Sequence, residues 1–277
     1  MKKILITGAC GFIGFHLSLR LCQSGYKVFG IDNFSCTDKK LLKSRLRILK
    51  KHKSFKFYKI DLSENFEKRI KDQFYAIIHL AAKPGVRESQ KKPKIYFKNN
   101  ITAFYNIIDF AKKKTSTFIY ASSSSVYGNT HKFPTRENDK LRPNNIYAKT
   151  KIRNEKLAQN YKNKYKLNIC GIRFFTVYGE WGRPDMFLFK LLKSYKSNKH
   201  FYLNNYGEHK RDFTYIGDVV SILIKLSNLK NFNFNIANIC SSKPISIKNI
   251  CEHFKIKYNF NNIKLIKKHK ADVLNTH

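Results

Sequence analysis

The apolar stretch Lys3–Thr7 runs straight into Gly8-Ala-Cys-Gly11-Phe-Ile-Gly14. The residues from Phe12 to Ser24 then carry apolar side chains at helical spacing: Phe12, Phe15, Leu17, Leu19 and Leu21. A strand that must become a helix within a glycine-spaced turn leaves few folds open. Glycines there permit a tight turn and a close backbone approach to a pyrophosphate. The helix N-terminus offers N–H groups and the positive end of its dipole to the same phosphates. Gly25 ends the helix as a left-handed cap would. The next strand, Tyr26–Ile31, leads to Asp32. A carboxylate at that point accepts both hydroxyls of an adenosine ribose and repels a 2′-phosphate, which favours NAD over NADP.

The alternation continues. Phe55–Ile60, Ala76–Leu80, Thr117–Ala121 and Asn168–Phe174 read as strands, with helical stretches between several of them. Strands alternating with helices predict a doubly wound parallel sheet of the Rossmann type, covered on both faces. We place this dinucleotide-binding domain at residues 1–175. Past Phe175 the pattern loosens into a Tyr178–Pro184 loop, a Met186–Ser197 helix, a Phe232–Ile236 strand and an Ile245–Phe254 helix. Residues 176–277 are therefore expected to form a smaller, mixed substrate-binding region, with some segments returning to the first domain. The Lys-rich stretch Lys39–Lys56 carries a helical Leu pattern and reads as a solvated surface helix.

The chain has 277 residues, 55 Lys+Arg and 18 Asp+Glu, a net charge of +37. That excess suggests nucleic acid, but 44 of the basic residues are Lys and only 11 are Arg. Recognition of nucleic acid favours clustered Arg. Lys, Asn, Ile, Phe and Tyr share A/T-rich codons, so the charge reads as surface Lys and no nucleic-acid partner is expected. At 42% hydrophobic and 14% aromatic residues, the chain is no disordered basic tail. No apolar run reaches the roughly 18 residues of a membrane span, and glycines interrupt the signal-like start. The six cysteines lack metal-binding spacing and read as thiols in a reducing cytoplasm.

Chemistry is expected at the carboxyl ends of the strands. Asp61, closing the third strand, is placed to reach an adenine amino group or to hold a turn. His79 reads as a packed core residue. Leu80, Ala81 and Ala82 let the chain pass close to a flat cofactor. Ser122-Ser-Ser-Ser125 follows the fifth strand, where hydroxyls can bond a reacting oxygen. Tyr147 and Lys151 stand at i and i+4, one face of a helix. A phenol titrates near 10 unperturbed; a neighbouring ammonium and a positive nicotinamide would lower that value and make Tyr147 a proton acceptor.

Taken together, Gly8-x-x-Gly11-x-x-Gly14, the serine run and Tyr147-x-x-x-Lys151 resemble the extended short-chain dehydrogenase/reductases, in particular the NAD-dependent epimerase/dehydratase family. Pro84-Gly-Val-Arg87, Ala121–Gly128, Arg173–Gly179, Trp181–Met186 and Lys210–Tyr215 narrow the resemblance to its UDP-glucuronate 4-epimerases. The resemblance implies Ser123, Tyr147 and Lys151 as the catalytic set. It places Lys83, Asn100 and Phe174 beside the NAD, and Phe12, Ile13, Asn33 and Leu62 are grouped with them. It puts Ser124, Ser125 and Thr176 around a sugar carboxylate, counts Ser123 among the residues that bind the substrate, and sets Arg87, Arg183 and Arg211 along the sugar or the UDP phosphates. Arg suits those anions because its planar fork bonds them in pairs.

The implied reaction is transient oxidation at C4, rotation of the 4-keto sugar, and reduction from the other face, with NAD staying bound. Related dehydratases need an Asp-Glu pair after the catalytic hydroxyl; Ser124 and Ser125 stand there instead. Decarboxylating relatives carry an acid near the carboxylate, which is not seen here. Glu180 replaces a usual Pro. Ala271-Asp-Val273 resembles a Gly-Asp-Val that lies well before the family's usual C-terminus, so the chain reads as short at that end. Alternatives are a 4-epimerase of UDP-glucose or a UDP-N-acetylhexosamine, and a catalytically weak nucleotide-sugar-binding protein. A homodimer through the helices after Asn100 and Tyr147 is expected, with no metal and no membrane partner.

Overall fold

A computed structural model describes residues 1–35, 38–130, 132–267 and 275–276. The N-terminal elements are β1 (Lys3–Thr7), α1 (Phe12–Gln23), β2 (Lys27–Asp32), α2 (Lys39–Leu49), β3 (Phe55–Lys59) and β4 (Ala76–His79). There follow α3 (Val86–Lys91), α4 (Pro93–Tyr96), a π-helical turn (Phe97–Thr102), α5 (Ala103–Lys114), β5 (Thr117–Ser123), α6 (Ile146–Tyr165) and β6 (Asn168–Phe174). The remainder comprises β7 (Thr176–Tyr178), α7 (Phe187–Lys196), β8 (Phe201–Asn204), β9 (Lys210–Tyr215), α8 (Ile216–Ser227) and β10 (Ile236–Ile239). It ends with β11 (Pro244–Ser246), α9 (Ile247–Tyr258), β12 (Ile263–Ile266) and β13 (Asn275–Thr276).

Seven strands form one sheet in the order β10-β6-β5-β4-β1-β2-β3, and each neighbouring pair is parallel. The doubly wound architecture is as the alternation predicts. Strand direction of travel across the sheet reverses between β1 and β4, and that switch point opens a crevice at the carboxyl ends. The central strands are buried on both faces, which is why β1 and β4 read as apolar runs, whereas the edge strand β3 carries Lys56 and Lys59 and is only partly buried. Ile4 and Ile6 of β1 point into one core with α1, while Leu5 points into the other with Phe104, Ile107 and Ile108 of α5.

Two segments from the C-terminal part join this sheet. The α8 residues Val219, Val220, Leu223 and Leu226 pack in the same core as Phe15 and Leu17 of α1, and β10 extends the sheet beyond β6. The expected Phe232–Ile236 strand lies further on. Phe232 and Phe234 mimic strand alternation, but the Phe232 N–H donates to Asn168 Oδ1 at 2.8 Å and its ring fills the core. The ladder begins only where Ile236 meets Gly171. The smaller lobe is built from β7, β9, β11 and β13, the β8–β12 pair, α7 and α9. Its core holds Leu191, Phe201, Leu203, Phe213, Ile247, Cys251, Phe254 and Phe260. These lobe strands were not anticipated, because each is short and their partners are remote in sequence. Ala271-Asp-Val273 lies outside the described residues.

If α8 is part of the sheet's core, truncating it must cost what a core cavity costs. Leu223→Ala is expected to lose about 2–5 kcal/mol in urea unfolding, whereas the exposed Leu265→Ala changes stability by no more than about 0.5 kcal/mol.

Candidate active site

The glycine loop is shaped by contacts within the chain. Gly8 has φ +68, and a Cβ there would lie 2.8 Å from the Ala81 backbone N at the end of β4. A Cβ on Gly14 would come within 2.1 Å of the Gly8 carbonyl, and one on Gly11 within 3.0 Å of the same oxygen. Gly8 and Gly14 therefore seat α1 close against β1 and β4. The Gly11 N–H donates to Gly8 O at 2.9 Å. Gly11 caps α1 without a side-chain acceptor, and the first turn of α1 carries no acid. Such an N-terminus suits a phosphate.

Asp32 closes β2 on the rim of this loop. Its Oδ2 accepts from Cys10 N at 3.0 Å and its Oδ1 from Phe34 N at 2.9 Å. Burial pushes its carboxyl above the ordinary range, offset in part by those N–H donors and by the Arg45 charge. Each carboxylate oxygen still has acceptor capacity for a ribose hydroxyl. The cradle and the carboxylate together fit a dinucleotide. Asp61 holds a turn, accepting from Ser63 N at 2.9 Å and Ser63 Oγ at 2.6 Å. Burial raises its carboxyl, but Ser63, Lys98 and Asn33 outweigh that and hold it below the ordinary range. Leu62 points into the core with Phe66, and Ile13 packs on the α1 core. His79 is the buried core residue expected. Its Nδ1 shares a hydrogen with Thr7 Oγ1 at 2.7 Å, and burial, aided by the Lys151 charge, pushes it down to about 3.

Asn100 sits on the π-helical turn and is buried. Its Oδ1 accepts from Lys83 N at 2.7 Å and its Nδ2 donates to Lys83 O at 3.1 Å. The two expected cofactor neighbours thus hold each other, fixing the chain just after Leu80, Ala81 and Ala82.

Ser123 ends β5, opposite Phe174 of β6. Its Oγ donates to Ser125 Oγ at 3.1 Å and accepts from Ser125 N at 3.2 Å, and it lies close enough to the Tyr147 phenol to influence its titration. Lys151, one turn beyond Tyr147 on α6, donates from Nζ to Ala121 O at 2.7 Å and lies 5.8 Å from the Tyr147 ring centroid. Burial drives the Lys151 ammonium down to about 8, with Glu155 opposing it. Burial pushes Tyr147 above its ordinary value, and the pulls in the other direction come from Ser123 and the Arg183 charge. Desolvation outweighs both.

Across the crevice, Phe12, Thr176, Gly182, Arg183 and Met186 line one cleft. Arg183 Nε donates to Asp185 Oδ1 at 3.0 Å, and its second nitrogen also reaches Asp185. Ser124 and Ser125 open a 3-10 turn directly after Ser123. Arg87 is exposed on α3, and Arg211 on β9 donates to its neighbour Lys210 O at 2.9 Å. Glu180 stitches the loop to both sides: its carbonyl bonds His16 Nε2 at 2.8 Å and its carboxylate accepts from Tyr215 at 3.1 Å.

A profile of the NAD dependent epimerase/dehydratase family matches residues 4–240. The chain belongs to that family. It is 39% identical to the UDP-glucuronate 4-epimerase of Thermodesulfobacterium geofontis, over all of this chain and 85% of that protein. Its fold matches the crystal structure of a Bacillus cereus UDP-glucuronic acid 4-epimerase in complex with UDP-glucuronic acid and NAD. The TM-score is 0.93 at 32% identity, covering 99% of this chain and 89% of that one. MoeE5 in complex with UDP-glucuronic acid and NAD is similar too, with TM-score 0.88 at 28% identity, over 99% and 88% of the two chains.

Two features of this epimerase/dehydratase chain escaped sequence reasoning. Arg173 of β6 forms a buried ion pair with Glu155 of α6, Nη2 to Oε2 at 2.8 Å and Nε to Oε1 at 3.0 Å. Ser122 also donates to Glu155, and Arg173 reaches Tyr127 OH at 2.9 Å. The signal was present: Glu155 stands at i+4 from Lys151 and i+8 from Tyr147. The second is Arg45, expected on a solvated helix but only 2% exposed. It shares the inner stripe of α2 with Leu42 and Leu49, which is the pattern that could have revealed it.

Gly14→Ala is expected to abolish dinucleotide retention, read from nucleotide released on denaturing the purified protein; full retention would contradict the cradle. Activity that needs the Lys151 ammonium must fall as pH rises through about 8. Glu155 raises that value, so Glu155→Gln moves the descending limb of the pH–rate profile to lower pH. Arg173→Met leaves Glu155 charged and unpaired in the interior, and is expected to cost about 3–5 kcal/mol in denaturant unfolding.

Proposed function

We propose that this protein is a UDP-sugar 4-epimerase that interconverts UDP-glucuronate and UDP-galacturonate with tightly held NAD. The observation that carries the reading is the Ser123–Tyr147–Lys151 cluster at the carboxyl end of a parallel sheet, within the electrostatic reach of Arg183. In this reading residues 1–175 hold the cofactor and 176–277 the sugar, apart from α8 and β10. The glycine loop and the α1 N-terminus hold the NAD pyrophosphate, Asp32 its adenosine ribose, and Lys151 its nicotinamide ribose. When bound, NAD supplies the hydride acceptor and donor for C4, so inversion occurs with no net redox change.

The chain's own residues handle the proton and the anion. Tyr147 takes the proton from the C4 hydroxyl and returns it to the inverted one. Ser123 bonds the same sugar oxygen and holds the phenol in line. Burial in this site keeps Tyr147 protonated when alone, so the Lys151 ammonium and the positive ring of the bound cofactor are what make proton transfer favourable at neutral pH. Ser124, Ser125 and Thr176 offer neutral hydroxyls to the sugar carboxylate. With no Asp-Glu pair after Ser123, acid/base work at C5 and C6 has no agent, which favours epimerisation over dehydration. Arg183, Arg87 and Arg211 serve the diphosphate and sugar.

The alternative substrate is UDP-glucose, which MoeE5 also binds in a second complex with NAD. Five cysteines among the described residues are free thiols, and no described helix is long and apolar enough to cross a membrane. Both observations are compatible with a cytoplasmic enzyme. The exposed Ile95, Phe97 and Tyr105 beside α4 and α5 support a homodimer through this side.

Purified protein incubated with UDP-glucuronate should yield UDP-galacturonate on chromatographic separation. Absence of product, or faster turnover of UDP-glucose, overturns the substrate assignment. Tyr147→Phe is expected to lower turnover by about 10²–10⁴-fold while the nucleotide stays bound.

A further inference from the structure

A guanidinium buried to 2% exposure on a helix with Lys39, Lys40, Lys43 and Arg47 on its other faces calls for an explanation. Surface lysines could have supplied charge anywhere on α2. Arg45 instead points inward between Leu42 and Leu49. Burying an arginine costs free energy unless acceptors meet its fork. Here the acceptors come from two separate places. Nη1 donates to the carbonyl of Cys10, inside the glycine loop, at 2.9 Å. Nη2 donates to the carbonyl of Trp181 and lies 3.4 Å from that of Gly182. Those two residues immediately precede Arg183.

Each contact leads directly to one ligand region. The Cys10 N–H is bonded to Asp32 Oδ2 at 3.0 Å, and the Arg45 charge is felt at the Asp32 carboxyl. On the other side, Trp181 has φ +55, a left-handed backbone that a non-glycine residue adopts only when its surroundings hold it there. Its ring rests against Phe15 of α1, with centroids 5.7 Å apart. One planar fork therefore joins the dinucleotide loop to the strained backbone that presents Arg183. Lysine would offer both loops a single point of attachment, without the two separated nitrogens that fix their relative register.

We infer that Arg45 is a positioning residue that locks the Gly8–Gly14 loop and the Trp181–Arg183 loop into one register, coupling occupancy of the dinucleotide site to affinity at the nucleotide-sugar site. It acts through the loop carbonyls it bonds. The inference rests on the proposed function only in taking the Arg183 cleft as the nucleotide-sugar site. Coupling of this kind is reciprocal and typically about 5–150-fold in affinity.

Trp181 is the only tryptophan in the chain, so its fluorescence reports on this loop alone. NAD affinity is measured by calorimetry, with and without saturating UDP, for the parent, Arg45→Lys and Arg45→Met proteins stripped of nucleotide. The parent should bind NAD at least about fivefold tighter with UDP present, and NAD alone should shift the Trp181 emission maximum. In Arg45→Met the UDP effect should fall to about onefold, and the Trp181 shift should vanish although NAD still binds. Arg45→Lys, the variant that keeps the charge, should lose most of both effects, and it decides the matter if the methionine variant does not fold. Parent-like coupling and an unchanged Trp181 response in the folded variants would overturn the inference. Should UDP fail to bind the parent at all, the proposed function falls, and the Trp181 response to NAD still tests Arg45.

Discussion

Three consecutive residues at the carboxyl end of β5 meet three residues of α6 spaced four apart. Ala121 receives the Lys151 ammonium on its carbonyl, Ser122 donates to Glu155, and Ser123 lies beside the Tyr147 phenol and acts to lower its pKa. Residues at i, i+4 and i+8 form one stripe on a helix, so a single strand end can address all three. The consequence is that the proposed catalytic groups are held by rigid elements rather than by loops. Arg173, from the neighbouring strand β6, closes the arrangement from behind by pairing with Glu155 in the interior. The rest of the site follows from where β5 ends in a parallel sheet, since ligands lie beyond the carboxyl ends of its strands.

The charge distribution acquires a different meaning once burial is known. The Lys excess is largely exposed and says little about partners. The internal cations are few: Lys151, Arg173 and Arg45, each no more than 3% exposed. Arg173 and Arg45 are held by acceptors fixed on more than one element. A buried pair such as Arg173–Glu155 contributes little net stability compared with apolar packing. Its effect lies in geometry and in the local field, because Glu155 is the charge that opposes the desolvation of Lys151.

The sheet was legible in the sequence because its central strands are doubly buried and largely apolar, and the glycine loop because its spacing dictates a turn. Ser123, Tyr147 and Lys151 were legible through that order and through family resemblance. Less visible were interactions between residues far apart in sequence. Glu155 is one acid on a long polar helix, and nothing local links it to Arg173. Arg45 looked like another surface cation in a Lys-rich stretch until the Leu42–Leu49 stripe is seen to include it. The β10 strand was misplaced because Phe232 and Phe234 alternate as a strand does, yet Phe232 is held by Asn168.

The central claim is that C4 is inverted by removing its hydrogen as hydride and returning the same hydrogen to the opposite face, with Tyr147 moving only the hydroxyl proton. Running the reaction with UDP-glucuronate in deuterated water and examining the UDP-galacturonate formed by NMR tests this directly. The account predicts protium at C4 of the product, since that hydrogen never exchanges with solvent. Deuterium at C4 would contradict it.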